Sequence, residues 1–217
     1  MRKETRKYYF SVEGETEHWY LNWLQNTINA ESDAKFRVEL DSQVQKDPLV
    51  RIKKLTILGK TEITHIFDRE SEDEVHVQQF QTVLDRMKAA QNMGKNIKYQ
   101  LGYSNFTFEL WIILHKADCN GSLTNRRQYL APLNRAYGED FENLFQYKQE
   151  EKFKRILSKL TLEDVRSAIQ RSKVIMQRNR TNGCVEQKYK GYSYYKENPS
   201  LSIWEVVEKI LKDCGLL

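Results

Sequence analysis

The chain has 217 residues, of which 40% are hydrophobic and 12% aromatic, and it carries a net charge of +5 with a pI of about 8.9. That length and composition can bury a core, which excludes wholesale disorder, and only 3 prolines and 9 glycines point to a helix-rich chain with few long loops. The modest positive excess suits a polyanion ligand without requiring one.

The elements follow in chain order. Residues 6–12 (RKYYFSV) are aromatic and β-branched and end at Glu13-Gly14, a strand running into a tight turn. Residues 17–30 place Trp19, Tyr20, Trp23, Leu24 and Ile28 on one helical face. Residues 35–44 alternate apolar and polar as a second strand, and Asp47-Pro48 opens a helix through about Leu58. Residues 62–67 (EITHIF) make a third strand that runs into Asp68-Arg69-Glu70. A helix from Glu74 to Ala90 follows, then a strand over 96–103 ending at Ser104-Asn105, then a buried helix in FTFELWIILHK. Beyond residue 118 the spacing predicts helices near 125–137, 147–159 and 161–178, and an amphipathic one over 200–212 behind Pro199. No strand is expected in that half.

Strand and helix in alternation predict an α/β fold, a mostly parallel sheet flanked by helices. Residues 1–118 form the core and residues 119–217 a basic helical C-terminal extension packed on it. The three cysteines, Cys119, Cys184 and Cys214, form no CxxC pair, which argues against a structural zinc and against a disulfide framework. The start MRKETRKYYF has no apolar run behind it, and no stretch approaches the ~18 apolar residues of a membrane span. A soluble, cytoplasmic protein is expected.

In parallel sheets the chemistry sits beyond the carboxyl ends of the strands, which gives Glu13, Asp68 and Ser104 their meaning. Gly14 lets the backbone turn and a large ligand approach. Asp68 and Glu70, two apart in an extended segment, point to one side and can grip one hard cation. Acidic groups at two strand ends would repel each other without a cation. Glu17 is either a metal ligand or a residue complementing the helix dipole. Glu109, in an apolar helix, either completes the metal site or holds a neighbouring base, or stands exposed at the helix start. Asn105 is by default a helix cap, with phosphate contact as the other reading. His115 is expected to be hydrogen-bonded at a helix end, and His18, His65 and His76 show no ligand spacing to one another.

EGETE after the first strand, FDRE after the third and SNFTFELWIILH after the fourth resemble the RloB-like family, also met as the AbiLii abortive-infection proteins. The later NPSLSIWEVVEKIL is similar to that family's C-terminal element. The family looks like a branch of the Toprim superfamily, so the resemblance implies a Toprim-like sheet. Glu13 then matches the first glutamate of the Toprim pattern, for general acid/base chemistry or metal binding. Asp68 and Glu70 match its acidic pair, with Glu in place of the second Asp, and Glu17 the acid that closes the first motif. Phe106-Thr107 stands where the family usually has Pro-Cys, which bears on how the helix starts rather than on the metal site. The implied protein is a bacterial anti-phage effector, often encoded beside an ATPase, that cleaves DNA or RNA, tRNA among the candidates.

Residues 146–190 carry 12 Lys and Arg against 5 Asp and Glu, so the positive charge concentrates there. Arg171, Lys173, Arg178, Arg180, Lys188 and Lys190 are the candidate nucleic-acid contacts, with a solvated helix surface as the plain alternative. Tyr189, Tyr192, Tyr194 and Tyr195, interleaved with lysines, suit base stacking or a protein interface equally. The leading expectation is a Mg²⁺- or Mn²⁺-dependent nuclease with Glu13, Asp68 and Glu70 at its centre. The alternative is a non-catalytic nucleic-acid-binding or ATPase-partner subunit with a vestigial Toprim fold. A receiver-like signalling domain would want a lysine where Ser104-Asn105 stands. A homo-oligomer is compatible with either of the first two.

Overall fold

The computed structural model describes residues 3–57, 59–121 and 123–217. Four parallel strands, β1 (Thr5–Val12), β2 (Arg37–Val44), β3 (Thr61–Arg69) and β4 (Ile97–Asn105), make one sheet in the order β2-β1-β3-β4. β3 runs two residues past the predicted strand. β4 holds it there, pairing Asp68 with Ser104 and Arg69 with Asn105.

Between β1 and β2 lies α1 (Glu15–Ala30), whose Tyr20, Leu21, Leu24 and Ile28 recur at the three- and four-residue spacing of one buried face. α2 (Pro48–Lys53) starts at Asp47, whose side chain accepts the Leu49 N–H at 3.0 Å. It is shorter than the helix predicted through Leu58, a residue outside those described. Lys95 Nζ donates to the carbonyls of Ile52 and Leu55, each at 3.0 Å, and satisfies the helix end there. α3 (Glu74–Gln91) begins at Asp73, which accepts the His76 N–H at 3.0 Å.

After β4, Phe106 adopts a left-handed φ of 64° before α4 (Glu109–Lys116). A 3₁₀ turn (Arg126–Tyr129) leads into α5 (Leu130–Tyr137). The helix predicted over 147–159 is two, α6 (Leu144–Tyr147) and α7 (Glu150–Ser158), with Lys148 at the break. α8 (Leu162–Thr181) starts with a capping box between Thr161 and Asp164.

A hairpin, β5 (Glu186–Tyr189) and β6 (Tyr192–Tyr195), stands where no strand was expected. Its two turn residues, Lys190 and Gly191, both have positive φ, 52° and 90°. α9 (Ile203–Cys214) closes the chain.

One face of the sheet packs against α1, α4, α7, α8 and α9, and the other against α2, α3 and the hairpin. The first core is continuous from Phe10 to Leu216, so the core and the C-terminal extension share one hydrophobic interior. Tyr192, Tyr194 and Tyr195 are buried, with the Tyr194 ring edge-on to Phe80 at 5.0 Å. They fill this chain's own interior rather than stacking bases or forming an interface. Among the described residues, no helix is long and apolar enough to cross a membrane.

Asn105 caps no helix. Its Nδ2 donates to the carbonyls of Tyr195 and Lys196, each at 3.1 Å, and of Glu197 at 2.7 Å, which ties the end of β4 to the segment behind the hairpin. Asn105→Ala leaves these carbonyls short of a donor, at a cost of about 2 kcal/mol, and should lower Tm by ~4–8 °C. Thermal unfolding followed by circular dichroism checks it.

Candidate active site

β1 and β3 are central neighbours, but the helices that follow them leave to opposite faces: α1 joins one core and α3 the other. A crevice therefore opens at the carboxyl ends of these two strands. A cleft of about 280 Å³ lies there, lined by Glu13, Glu17, Asp68 and Glu70. Lys46, Arg126 and Lys148 line it too. The four carboxylates thus come together, although they derive from two separate segments of the chain.

Each is set by local backbone. The Glu13 N–H continues the ladder by donating to the Ile66 carbonyl at 3.1 Å. Glu13 Oε2 accepts the Asp68 N–H at 3.3 Å, linking the two strand ends directly, and Oε1 lies 3.3 Å from Lys46 Nζ. Gly14 is extended, with a φ of −143°, a conformation open to any residue, so the turn does not draw on glycine's backbone freedom. Its smallness serves closeness instead, since a Cβ there would stand 3.1 Å from Glu17 Oε2. Glu17 faces into the cleft, nearly buried, and its Oε2 accepts the Thr16 hydroxyl at 2.9 Å. Glu70 lines the cleft on the same side as Asp68, with Oε2 3.1 Å from His76 Nε2 and Oε1 3.6 Å from Arg126 Nη1.

Glu109 is fully buried, which rules out the exposed-helix-start reading. It sits behind the cleft, not on its open lining. The Thr107 hydroxyl donates to Oε2, and Lys148 Nζ lies 3.0 Å from Oε1, off the axis of a good hydrogen bond. That ion pair brings a cation from the α6–α7 break to the rear of the acidic cluster.

The electrostatics follow from crowding. Burial, then the charges of Glu17, Glu13 and Glu109, hold the Asp68 carboxyl well above its ordinary pKa. Burial also raises Glu17; Glu109 adds to the shift, while Lys148 opposes it. Burial works against the Lys148 charge, but Glu109, Asp68 and Glu17 keep its pKa above the ordinary value. One lysine therefore serves three acids.

All the donors are carboxylate oxygens, hard ligands suited to Mg²⁺ or Mn²⁺. Among the described residues, no three or more His, Cys, Asp or Glu side chains are grouped so as to hold a metal ion, so the acids expected to form a metal cluster line one cleft without being assembled into a ligand set. An ion here would take one or two carboxylates and leave its other positions to water and phosphate, the usual arrangement for Mg²⁺. The excess of carboxylates over cations along the cleft fits such an ion.

The histidines divide. His115 Nδ1 contacts the Trp111 carbonyl at 2.9 Å and Nε2 the Tyr20 hydroxyl at 3.1 Å, and burial lowers its pKa to about 4, as a structural histidine at a helix end. His65 is buried against Ser11 at 2.6 Å across β1 and β3, its pKa lowered to about 3 by burial. His18 contacts Ser42 and Asn22. His76 alone stands at the cleft lip. Its Nδ1 is 2.6 Å from Asp73, which raises its pKa, and its Nε2 meets Glu70. No spacing in the sequence signals His76, Lys46 or Arg126, because each reaches the cleft through space; Lys148 opens the basic stretch expected at the mouth of the site and is its one member on the cleft lining.

The six basic residues expected at the site stand elsewhere. Arg171 Nη1 donates to the carbonyls of Leu114 at 2.7 Å and His115 at 3.1 Å, finishing α4. Lys173 pairs with Glu208 at 2.5 Å and Lys190 with Asp85 at 3.3 Å. Arg178, Arg180 and Lys188 are exposed, and none of the six lines the carboxylate cleft. α8 runs along α4 and α9, which turns its cations away from the ends of β1 and β3.

A four-stranded parallel α/β sheet flanked by helices, with acids at its switch point, is consistent with a Toprim-like fold. The chain belongs to the RloB-like protein family, whose profile matches residues 8–210. No curated protein and no solved structure matches it.

Two outcomes follow from the charge balance. A carboxyl whose pKa is raised by folding contributes stability that is whole below its unfolded pKa and is lost as pH rises through the folded one. For Asp68 that loss begins above the ordinary value of 3.8. In EDTA, Asp68→Asn should therefore melt a few degrees above wild type at about pH 8, with the gap closing towards pH 4. Lys148→Ala strands the buried Glu109 charge and should cost about 3 kcal/mol in EDTA. Mg²⁺ should recover part of that loss, and adding Glu109→Gln most of it; differential scanning fluorimetry reads both.

Proposed function

We propose that this chain is a Mg²⁺- or Mn²⁺-dependent nuclease of the Toprim type, cleaving DNA or RNA phosphodiesters as an effector in anti-phage defence. The observation that carries the reading is the single cleft at the carboxyl ends of β1 and β3. It joins Glu13, Glu17, Asp68 and Glu70 to cations at its edge. The defence role, and an ATPase as partner, rest on the likeness of EGETE, FDRE and SNFTFELWIILH to the family pattern.

Asp68 and Glu70 would hold the ion, with Glu17 and the buried Glu109 adding negative potential behind them. When bound, the ion supplies charge neutralisation at the phosphate and acidification of the attacking water. Glu13 is more accessible than Glu17 and hydrogen-bonded to the Asp68 backbone, which supports it as the carboxylate that would accept the proton of an attacking water. Lys46 and Arg126 stand at the cleft edge, where they offset the repulsion between the acids and an incoming phosphate.

The test is incubation of the pure protein with plasmid, single-stranded DNA and total tRNA, with EDTA, Mg²⁺ or Mn²⁺, read on a gel. Cleavage should require the divalent ion, and Asp68→Ala should lower it by at least about a hundredfold while the circular dichroism spectrum is kept. Metal-dependent cleavage at the wild-type rate in Asp68→Ala would place the chemistry elsewhere.

A further inference from the structure

The acidic cleft is the middle of three neighbouring cavities. On one side, through Glu13, Asp68 and Glu70, it adjoins a cavity of about 580 Å³ whose apolar lining includes Phe67, Val75 and Phe80. On the other, through Arg126 and Lys148, it adjoins a cavity of about 470 Å³. This second cavity is lined by Arg126, Arg127, Lys148, Leu130, Leu144 and Phe145, with Glu142 as its acidic member. Phe145 is 80% exposed, and it is the one aromatic among the large exposed hydrophobic residues described. It precedes Lys148, the residue after α6, by three positions, and both line this cavity.

Resting on the nuclease reading, we propose that these cavities form a track for one unpaired strand of nucleic acid, with Phe145 stacking a base on one side of the cleaved phosphate. Arg126 and Arg127 exceed Glu142 in charge and suit the strand's phosphates, Lys148 being held by Glu109. An exposed ring can take the face of a base only when that base is not stacked within a duplex, and stacking of this kind tolerates any sequence. The apolar cavity beyond Asp68 gives the next nucleotide a place on the opposite side of the acids. The occupant is a single strand, DNA or RNA, rather than a duplex.

Fluorescence anisotropy in EDTA tests the track with labelled single-stranded DNA, single-stranded RNA and the matching duplexes, which separates binding from cleavage. Wild type should prefer the single strands, and the two single-strand arms show which sugar is favoured. Phe145→Ala should weaken single-strand binding about tenfold, and Phe145→Trp should restore it. Arg127→Ala should lower the slope of log affinity against log salt by about 0.7, the value of one single-strand phosphate. Equal affinity of Phe145→Ala and wild type for single strands, or a preference for duplex, would overturn the track. In that case intact metal-dependent cleavage by wild type, lost in Asp68→Ala, keeps the nuclease reading and leaves the Phe145 cavity to a protein partner. If wild type binds no nucleic acid at low salt and cleaves none, both fall together.

Discussion

Like charges gathered at the ends of two adjacent strands set the terms for the rest of this molecule. Glu13 and Asp68 are brought together by the parallel pairing of β1 with β3, and Glu17 and Glu109 crowd in from the helices beside them. Repulsion in a partly buried site is costly, and it is relieved by a proton, a metal ion or a cation from the protein. Lys148 offsets part of it. Burial first and the neighbouring carboxylates second hold the Asp68 pKa up, and the carboxylates of the cleft outnumber the cations beside them, which is the imbalance behind the divalent ion proposed above.

Lys148 explains why the C-terminal half cannot be treated as an appendage. It sits at the break between α6 and α7, and it reaches an acid that begins α4. Arg126 reaches Glu70 from the turn before α5. Asn105 and the bridge from Ser104 to Leu201 fasten the end of β4 to the segment after the hairpin. The hydrophobic interior runs through both halves, so the cations are held in register with the carboxylates by packing rather than by a flexible linkage.

Charge density along the sequence was a poor guide to where positive potential matters. The stretch richest in lysine and arginine, residues 146–190, forms α7, α8 and the hairpin; within it only Lys148 lines the carboxylate cleft, while Arg171 finishes α4 by hydrogen bond and Lys173 pairs with Glu208 on α9. The tyrosines interleaved with lysines alternate as a strand does, and the alternation buries Tyr192 and Tyr194 against α3 and β4. The signal for this hairpin was present in the pattern KYKGYSYY. A lysine-glycine turn between alternating aromatics is a local feature, and it competed with the reading of those aromatics as ligand contacts.

The sequence by itself determined the strand–helix alternation, the parallel α/β class and the position of Glu13, Asp68 and Glu70 at strand ends. Periodicity and strand termination are local properties, written within a dozen residues of each site. It could not decide whether Glu109 was buried, how far β3 extends, or whether Asn105 caps a helix, since those depend on pairing with residues distant in the chain. Only the tertiary structure chose the cations of the cleft. Lys46, Arg126 and Lys148 come from three separate segments of the sequence. They share nothing locally; what unites them is proximity to one cluster of carboxylates, and electrostatic energy depends on distance through space, not along the chain.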